Sequence, residues 1–144
     1  MKQITIFTDG GCSPNPGIGG WAAILVFNEA RKEISGGHPA TTNNRAELTA
    51  LLEALKLLKE PCSIDIVTDS EYVRMAVAAF SKRATKKKAK LKNLDLLEEL
   101  HPLISIHSVR WTWVKGHAGH PENERCDELA GLAIQGIRNA KVFF

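Results

Sequence analysis

Lys2–Gly20, KQITIFTDGGCSPNPGIGG, decides how the rest of the chain is read. Its β-branched and aromatic run, Ile4-Thr5-Ile6-Phe7-Thr8, predicts a buried strand. The strand is expected to stop on Asp9, ahead of a turn rich in glycine and proline. An acid at the tip of an apolar strand costs stability unless a cation meets it. Open α/β sheets often hold ligands at the carboxyl ends of strands. The question for the remaining residues is whether they send more carboxylates to that edge.

The chain has 144 residues, enough to bury a core in one domain spanning residues 1–144. No apolar run reaches membrane-spanning length, and Asp9 comes too early for a signal peptide. Cys12, Cys62 and Cys126 are odd in number and never in CxxC spacing, which argues against a disulfide framework and for a reducing cytosol. The net charge of +3 is uneven. Lys82, Arg83, Lys86, Lys87, Lys88, Lys90 and Lys92 form a basic segment with no acid among them. Without it the chain would be net acidic.

Trp21–Phe27 and Arg31–Ser35 predict two further strands joined at Asn28-Glu29-Ala30, with Gly36, Gly37 and Pro39 ending the sheet pattern. Thr42 or Asn44 can cap a helix carrying the apolar stripe Leu48, Leu51, Leu52, Leu55 and Leu58. Glu47 falls inside that stripe on the helical wheel; by itself it fits a capping-box acid better than a site residue. Ser63–Thr68 predicts a fourth strand, again ending on an acid, Asp69. Ser70 can cap the helix Glu71–Phe80. If the intervening helix is a right-handed crossover between parallel strands, Asp9 and Asp69 share one sheet edge.

The basic segment 81–92 reads either as a solvated face or as a phosphate-contacting arm. Asn93 caps a helix Leu94–His101 that fades at Pro102. Ile106–Val114 is the fifth strand, its Trp111 and Trp113 given packing roles. Pro121 suits the first turn of a closing helix that turns Cys126 and Ala130 inward and sets Asp127 at the edge of the apolar arc.

Asp9, Glu47, Asp69 and Asp127 thus stand where acids are costly. Clustered acids raise one another's pKa unless a cation sits between them, and oxygen donors suit Mg²⁺ or Mn²⁺. Such a set can hold two metals and support phosphoryl transfer to water. A zinc site from His117, His120 and Cys126, spaced H-x2-H-x5-C, lacks a fourth ligand. His117, between glycines, could swing over the metals to move a proton.

Ile6-Phe7-Thr8-Asp9-Gly10, Asn15-Pro16-Gly17, Thr41 to Leu48, Thr68-Asp69-Ser70 with Tyr72-Val73, and Trp111 to Ala130 together resemble the cellular type 1 ribonuclease H family in its bacterial form. The resemblance covers nearly the whole chain. It implies a five-stranded mixed sheet, the first three strands antiparallel and the fourth and fifth parallel to the first, with helices on both faces. It implies an endonuclease that cuts the RNA strand of RNA–DNA hybrids, leaving 3′-hydroxyl and 5′-phosphate ends, without sequence specificity.

The family's metal carboxylates carry over to Asp9, Glu47, Asp69 and Asp127, with two Mg²⁺ ions expected and Mn²⁺ as a substitute. Its histidine carries over to His117. Its DNA-phosphate pocket maps to Thr42, Asn43 and Arg45. RNA 2′-hydroxyl contacts map to the turn holding Gly10, Cys12 and Asn15, to Asn43, and to Ser70 and Glu71. The basic segment, with Lys86, Lys87 and Lys88, resembles the family's substrate handle, but it is shorter and lacks tryptophan, leaving Phe80 as its aromatic face. Glu71 replaces a glutamine and cannot donate to a minor-groove acceptor. A monomer in the cytoplasm, with no membrane contact and no added hybrid-binding module, is expected. A hybrid-binding protein with a decayed site is disfavoured by the intact acids. A junction resolvase or integrase-like enzyme is disfavoured by the segments beginning at Thr41 and Gly116.

Overall fold

The computed structural model describes residues 1–82, 91–115 and 119–142. In chain order these form strands β1 (Lys2–Cys12), β2 (Gly17–Phe27) and β3 (Ala30–Thr41), helix α1 (Asn43–Leu55), strand β4 (Cys62–Thr68), helices α2 (Glu71–Lys82) and α3 (Leu94–Ser105), strand β5 (Ser108–Trp113) and helix α4 (Pro121–Val142). The sheet order is β3-β2-β1-β4-β5. β1, β2 and β3 run antiparallel, and β4 and β5 lie parallel to β1, as the sequence led us to expect.

Period-two alternation divides each strand between two faces. Ile4, Ile6, Ile64 and Ile66 pack with Leu48, Leu51 and Leu55 of α1 and with Leu97 and Leu100 of α3. On the other face Ala22 and Ile24 meet Cys126 and Ala130 of α4, with Phe7 packed against them. The first turns of α4 are also tied to β3. Arg31 donates from Nε and one Nη to the two carboxylate oxygens of Glu122 at 2.7 and 2.9 Å, and Arg125 Nε donates to Glu33 at 2.9 Å.

Several boundaries differ from expectation. β1 does not stop at Asp9, because Gly10, Gly11 and Cys12 continue its antiparallel ladder opposite Trp21, Gly20 and Gly19. Its parallel ladder with β4 does end there, at Thr8↔Thr68. Asp9 is therefore the residue where β1 keeps one neighbour and loses the other. β3 likewise runs through Gly36, Gly37 and Pro39; an edge strand tolerates the missing proline N–H. Asn28, at φ 53°, makes the β2–β3 turn.

Thr42, not Asn44, caps α1, its Oγ1 accepting from Arg45 N at 3.2 Å. That register places Glu47 beyond any capping box. Helix α3 continues past Pro102 to Ser105, and Asn93 precedes it in a left-handed conformation without a side-chain cap. The Asn93 amide instead donates to the Tyr72 hydroxyl at 2.7 Å. Among the described residues no helix is long and apolar enough to cross a membrane.

Candidate active site

Three elements bring their acids together where the β1–β4 ladder ends. Asp9 comes from β1, Glu47 from the second turn of α1, and Asp69 from the residue just after β4. One carboxylate oxygen from each lies within 4.8 Å of the others. Glu47 is only 8% exposed, yet its Oε2 has no hydrogen-bond partner. Among the described residues neither Asp9 nor Glu47 forms an ion pair. Gly10 N–H gives both some relief. Asp127, exposed on α4, meets the Asp9 side chain across an open depression of about 290 Å³ that Gly11 and Cys12 also line.

Burial, then the charges of Asp69 and Asp127, push the Asp9 carboxyl up to about 8. Burial, then Asp9 and Asp69, hold Glu47 well above the ordinary carboxylate range. An orphaned carboxylate oxygen in a crowded, oxygen-only donor set fits a hard divalent cation. The fit has a thermodynamic consequence. Raised folded-state pKa values stabilise the metal-free fold while the acids stay protonated, and that stability is lost as pH rises through them. In EDTA the thermal midpoint is expected to fall between about pH 5 and about pH 9. If the ionised acids hold a divalent cation, saturating Mg²⁺ is expected to flatten that decline. Thermal melts across this range, with and without Mg²⁺, check it; parallel curves would count against metal binding here.

The other residues singled out from sequence lie around this cluster. Asn43 Oδ1 accepts from Cys12 N at 2.7 Å, and Asn43 N donates to Asn15 Oδ1 at 3.1 Å, fastening the glycine-rich segment to the start of α1. Arg45 is not open: its guanidinium forks onto Asp95 at 2.9 and 2.7 Å. Ser70 N donates to Thr68 Oγ1 at 3.0 Å, and Glu71 begins α2 at the surface. Phe80 corrects the expectation of an aromatic face on the basic segment. It is 8% exposed, belongs to the main core, and its ring centroid lies 5.2 Å from that of His101. His117, Lys86, Lys87 and Lys88 lie outside the described residues.

Cys126 faces inward as expected, whereas the packing role given to Trp113 changes. Cys126 is fully buried and directs Sγ at the Phe7 carbonyl, 3.5 Å away. Burial pushes its thiol up to about 12, the opposite of what a zinc thiolate needs. Trp111 packs against the core, but Trp113 is 54% exposed and its Nε1 donates to the Asp69 carbonyl at 3.0 Å. Alternation along β5 assigns Trp113 to the core-facing set, so nothing in the local pattern singles it out.

A family model described as RNase H matches residues 1–135. The chain belongs to the RNase H family. A ribonuclease H from Nitratidesulfovibrio vulgaris is 55% identical over 90% of this chain and 88% of its own length. One from Bartonella quintana is 49% identical over 99% and 96%. Among solved RNase H structures, LC9-RNase H1, a type 1 RNase H with the type 2 active-site motif, superposes with a TM-score of 0.78 at 27% identity, covering 94% of this chain and 74% of that one. LC11-RNase H1 in complex with an RNA/DNA hybrid gives a TM-score of 0.64 at 26% identity, covering 93% and 98%.

Proposed function

We propose that this RNase H is an endonuclease that hydrolyses the RNA strand of RNA–DNA hybrids, leaving 3′-hydroxyl and 5′-phosphate ends, with two Mg²⁺ ions held by Asp9, Glu47, Asp69 and Asp127. The observation that carries this is the convergence of three carboxylates within 4.8 Å, one with a buried, unpartnered oxygen. Held by these acids, divalent ions would supply activation of the attacking water and charge neutralisation at the leaving oxygen. The chain's own part is placement. β1 and α1 present Asp9 and Glu47 from a rigid sheet edge, while Asp127 closes the site from α4. His117 moves a proton or assists product release.

Substrate recognition needs no base readout: contacts to 2′-hydroxyls on one strand and phosphates on the other suffice. Asn15, Asn43 and the backbone from Gly10 to Cys12 serve the RNA strand, with Ser70 and Glu71. Thr42, Asn43 and Arg45 serve a DNA phosphate, which must share Arg45 with Asp95. The protein acts as a monomeric catalytic domain in the cytoplasm, with Mn²⁺ able to replace Mg²⁺. The basic segment supplies non-specific affinity. Replacing Lys86, Lys87 and Lys88 with Ala is expected to reduce the slope of log affinity against log salt by about two to three; an unchanged slope would remove these lysines from the interface.

The test is cleavage of one end-labelled RNA, annealed to DNA, annealed to RNA, or single-stranded, with Mg²⁺ or with EDTA. Internal cuts confined to the hybrid and abolished by EDTA are expected. Hybrid binding without cleavage in either Mg²⁺ or Mn²⁺ would overturn the reading in favour of a binding protein.

A further inference from the structure

We propose that Trp113, given Asp69 as a metal carboxylate, is a positioning residue that sets the direction of the Asp69 side chain through the Asp69 carbonyl. Asp69 has left β4, whose ladder with β5 ends at Thr68↔Trp113. A residue just past the end of a ladder is free to turn unless its flanking peptides are held. Here three successive residues are held. Thr68 O accepts from Val114 N at 2.9 Å, Asp69 O accepts from Trp113 Nε1 at 3.0 Å, and Ser70 N donates to Thr68 Oγ1 at 3.0 Å.

The indole bond holds the Asp69 carbonyl, on the same peptide plane whose Ser70 N–H donates to Thr68 Oγ1. Packing does not account for the tryptophan. Val109 and Trp111, its companions in the alternation, lie against the main core, whereas Trp113 leaves 54% of its surface in solvent. What the ring contributes at that position is a donor, long enough to reach past the last rung of the ladder. A fixed carbonyl limits rotation about the Asp69 backbone, and with it the directions in which the carboxylate can approach Asp9 and Glu47. Outer-shell contacts of this kind typically change metal affinity about 10- to 100-fold.

Trp113→Phe keeps a large ring and deletes the donor. In Mg²⁺ titrations of the substrate-free protein by calorimetry, the dissociation constant is expected to rise about tenfold, with the thermal midpoint in EDTA unchanged. The Mg²⁺ concentration for half-maximal cleavage is expected to rise in step, while KM for the hybrid at saturating Mg²⁺ holds. Thr112→Val serves as the comparison. It removes the 2.8 Å bond to Asp65 on the same strand and leaves the Asp69 carbonyl alone, so Mg²⁺ affinity is expected to be kept. Unaltered Mg²⁺ binding in Trp113→Phe would overturn the proposal. So would an equal loss in Thr112→Val, or a drop in the EDTA midpoint of Trp113→Phe, since each would mean a generally loosened β5. Asp69→Asn separates the two layers: wild-type Mg²⁺ binding in that variant would remove Asp69 from the ligand set, whatever the indole does.

Discussion

Asp9→Asn is expected to lower turnover on RNA–DNA hybrid by at least about 10³-fold, or about 4 kcal/mol of transition-state stabilisation. The substitution is nearly isosteric, so the sheet edge is retained and the loss is chemical. It turns one of three carboxylates converging within 4.8 Å, the one that also meets Asp127, into a neutral amide that is a poorer ligand for a divalent cation. The same change is expected to stabilise the metal-free protein at alkaline pH. Burial and the neighbouring acids push Asp9 up to about 8, so ionising it works against folding. An amide carries no such penalty. In EDTA at about pH 9, relief of about 1 kcal/mol would raise the midpoint by roughly 4 °C. Kinetics and melts must move in opposite directions. Lost turnover with a lowered midpoint in EDTA would indicate damage to the fold and leave the metal assignment without support. His117→Ala, by contrast, removes the proposed assistance with proton transfer or product release and is expected to slow turnover less, about 10²-fold, the low end for general acid–base catalysis.

Much of this site was legible in the sequence because chemistry-bearing residues sit at places that pattern can locate. The two Thr-Asp-small segments announced Asp9 and Asp69, and the predicted strand order brought them to one edge. Glu47 was harder. Its position directly before Leu48, at the head of the leucine stripe, fits a capping-box acid better than a metal site, and only the Thr42 cap fixes the register that buries it. Strand ends were least legible, and the glycines are the reason. Gly10, Gly11, Gly36 and Gly37 read as turn residues, yet all four lie inside strands. Phe80 and Trp113 were misread in opposite senses. An aromatic beside a lysine run was assigned to the interface and is in the core, while one in a strand alternation was assigned to packing and stands in solvent. Neither outcome is local; each depends on where a helix layer ends above the sheet.

Those strand glycines lead to the second large effect. Gly10→Ala is expected to destabilise the protein by roughly 2–4 kcal/mol and to depress turnover even where the variant is fully folded. A Cβ on Gly10 would stand 2.5 Å from the Ala46 carbonyl carbon and 2.7 Å from Glu47 N. Both are helix backbone atoms, so no side chain can swing aside. Either β1 bows or the second turn of α1 lifts, and that turn carries Glu47. Close approach, not turning, is what this glycine provides. Gly136→Ala supplies the contrast. Its added Cβ meets nothing within 4 Å in helix α4, so it is expected to stabilise by about 0.5–1 kcal/mol. Chemical denaturation of both variants, with turnover measured well below the transition, distinguishes the cases. If Gly10→Ala unfolds at wild-type denaturant and cleaves at the wild-type rate, α1 does not rest on β1 at this point. In that case Glu47 would owe its position to contacts other than this backbone approach.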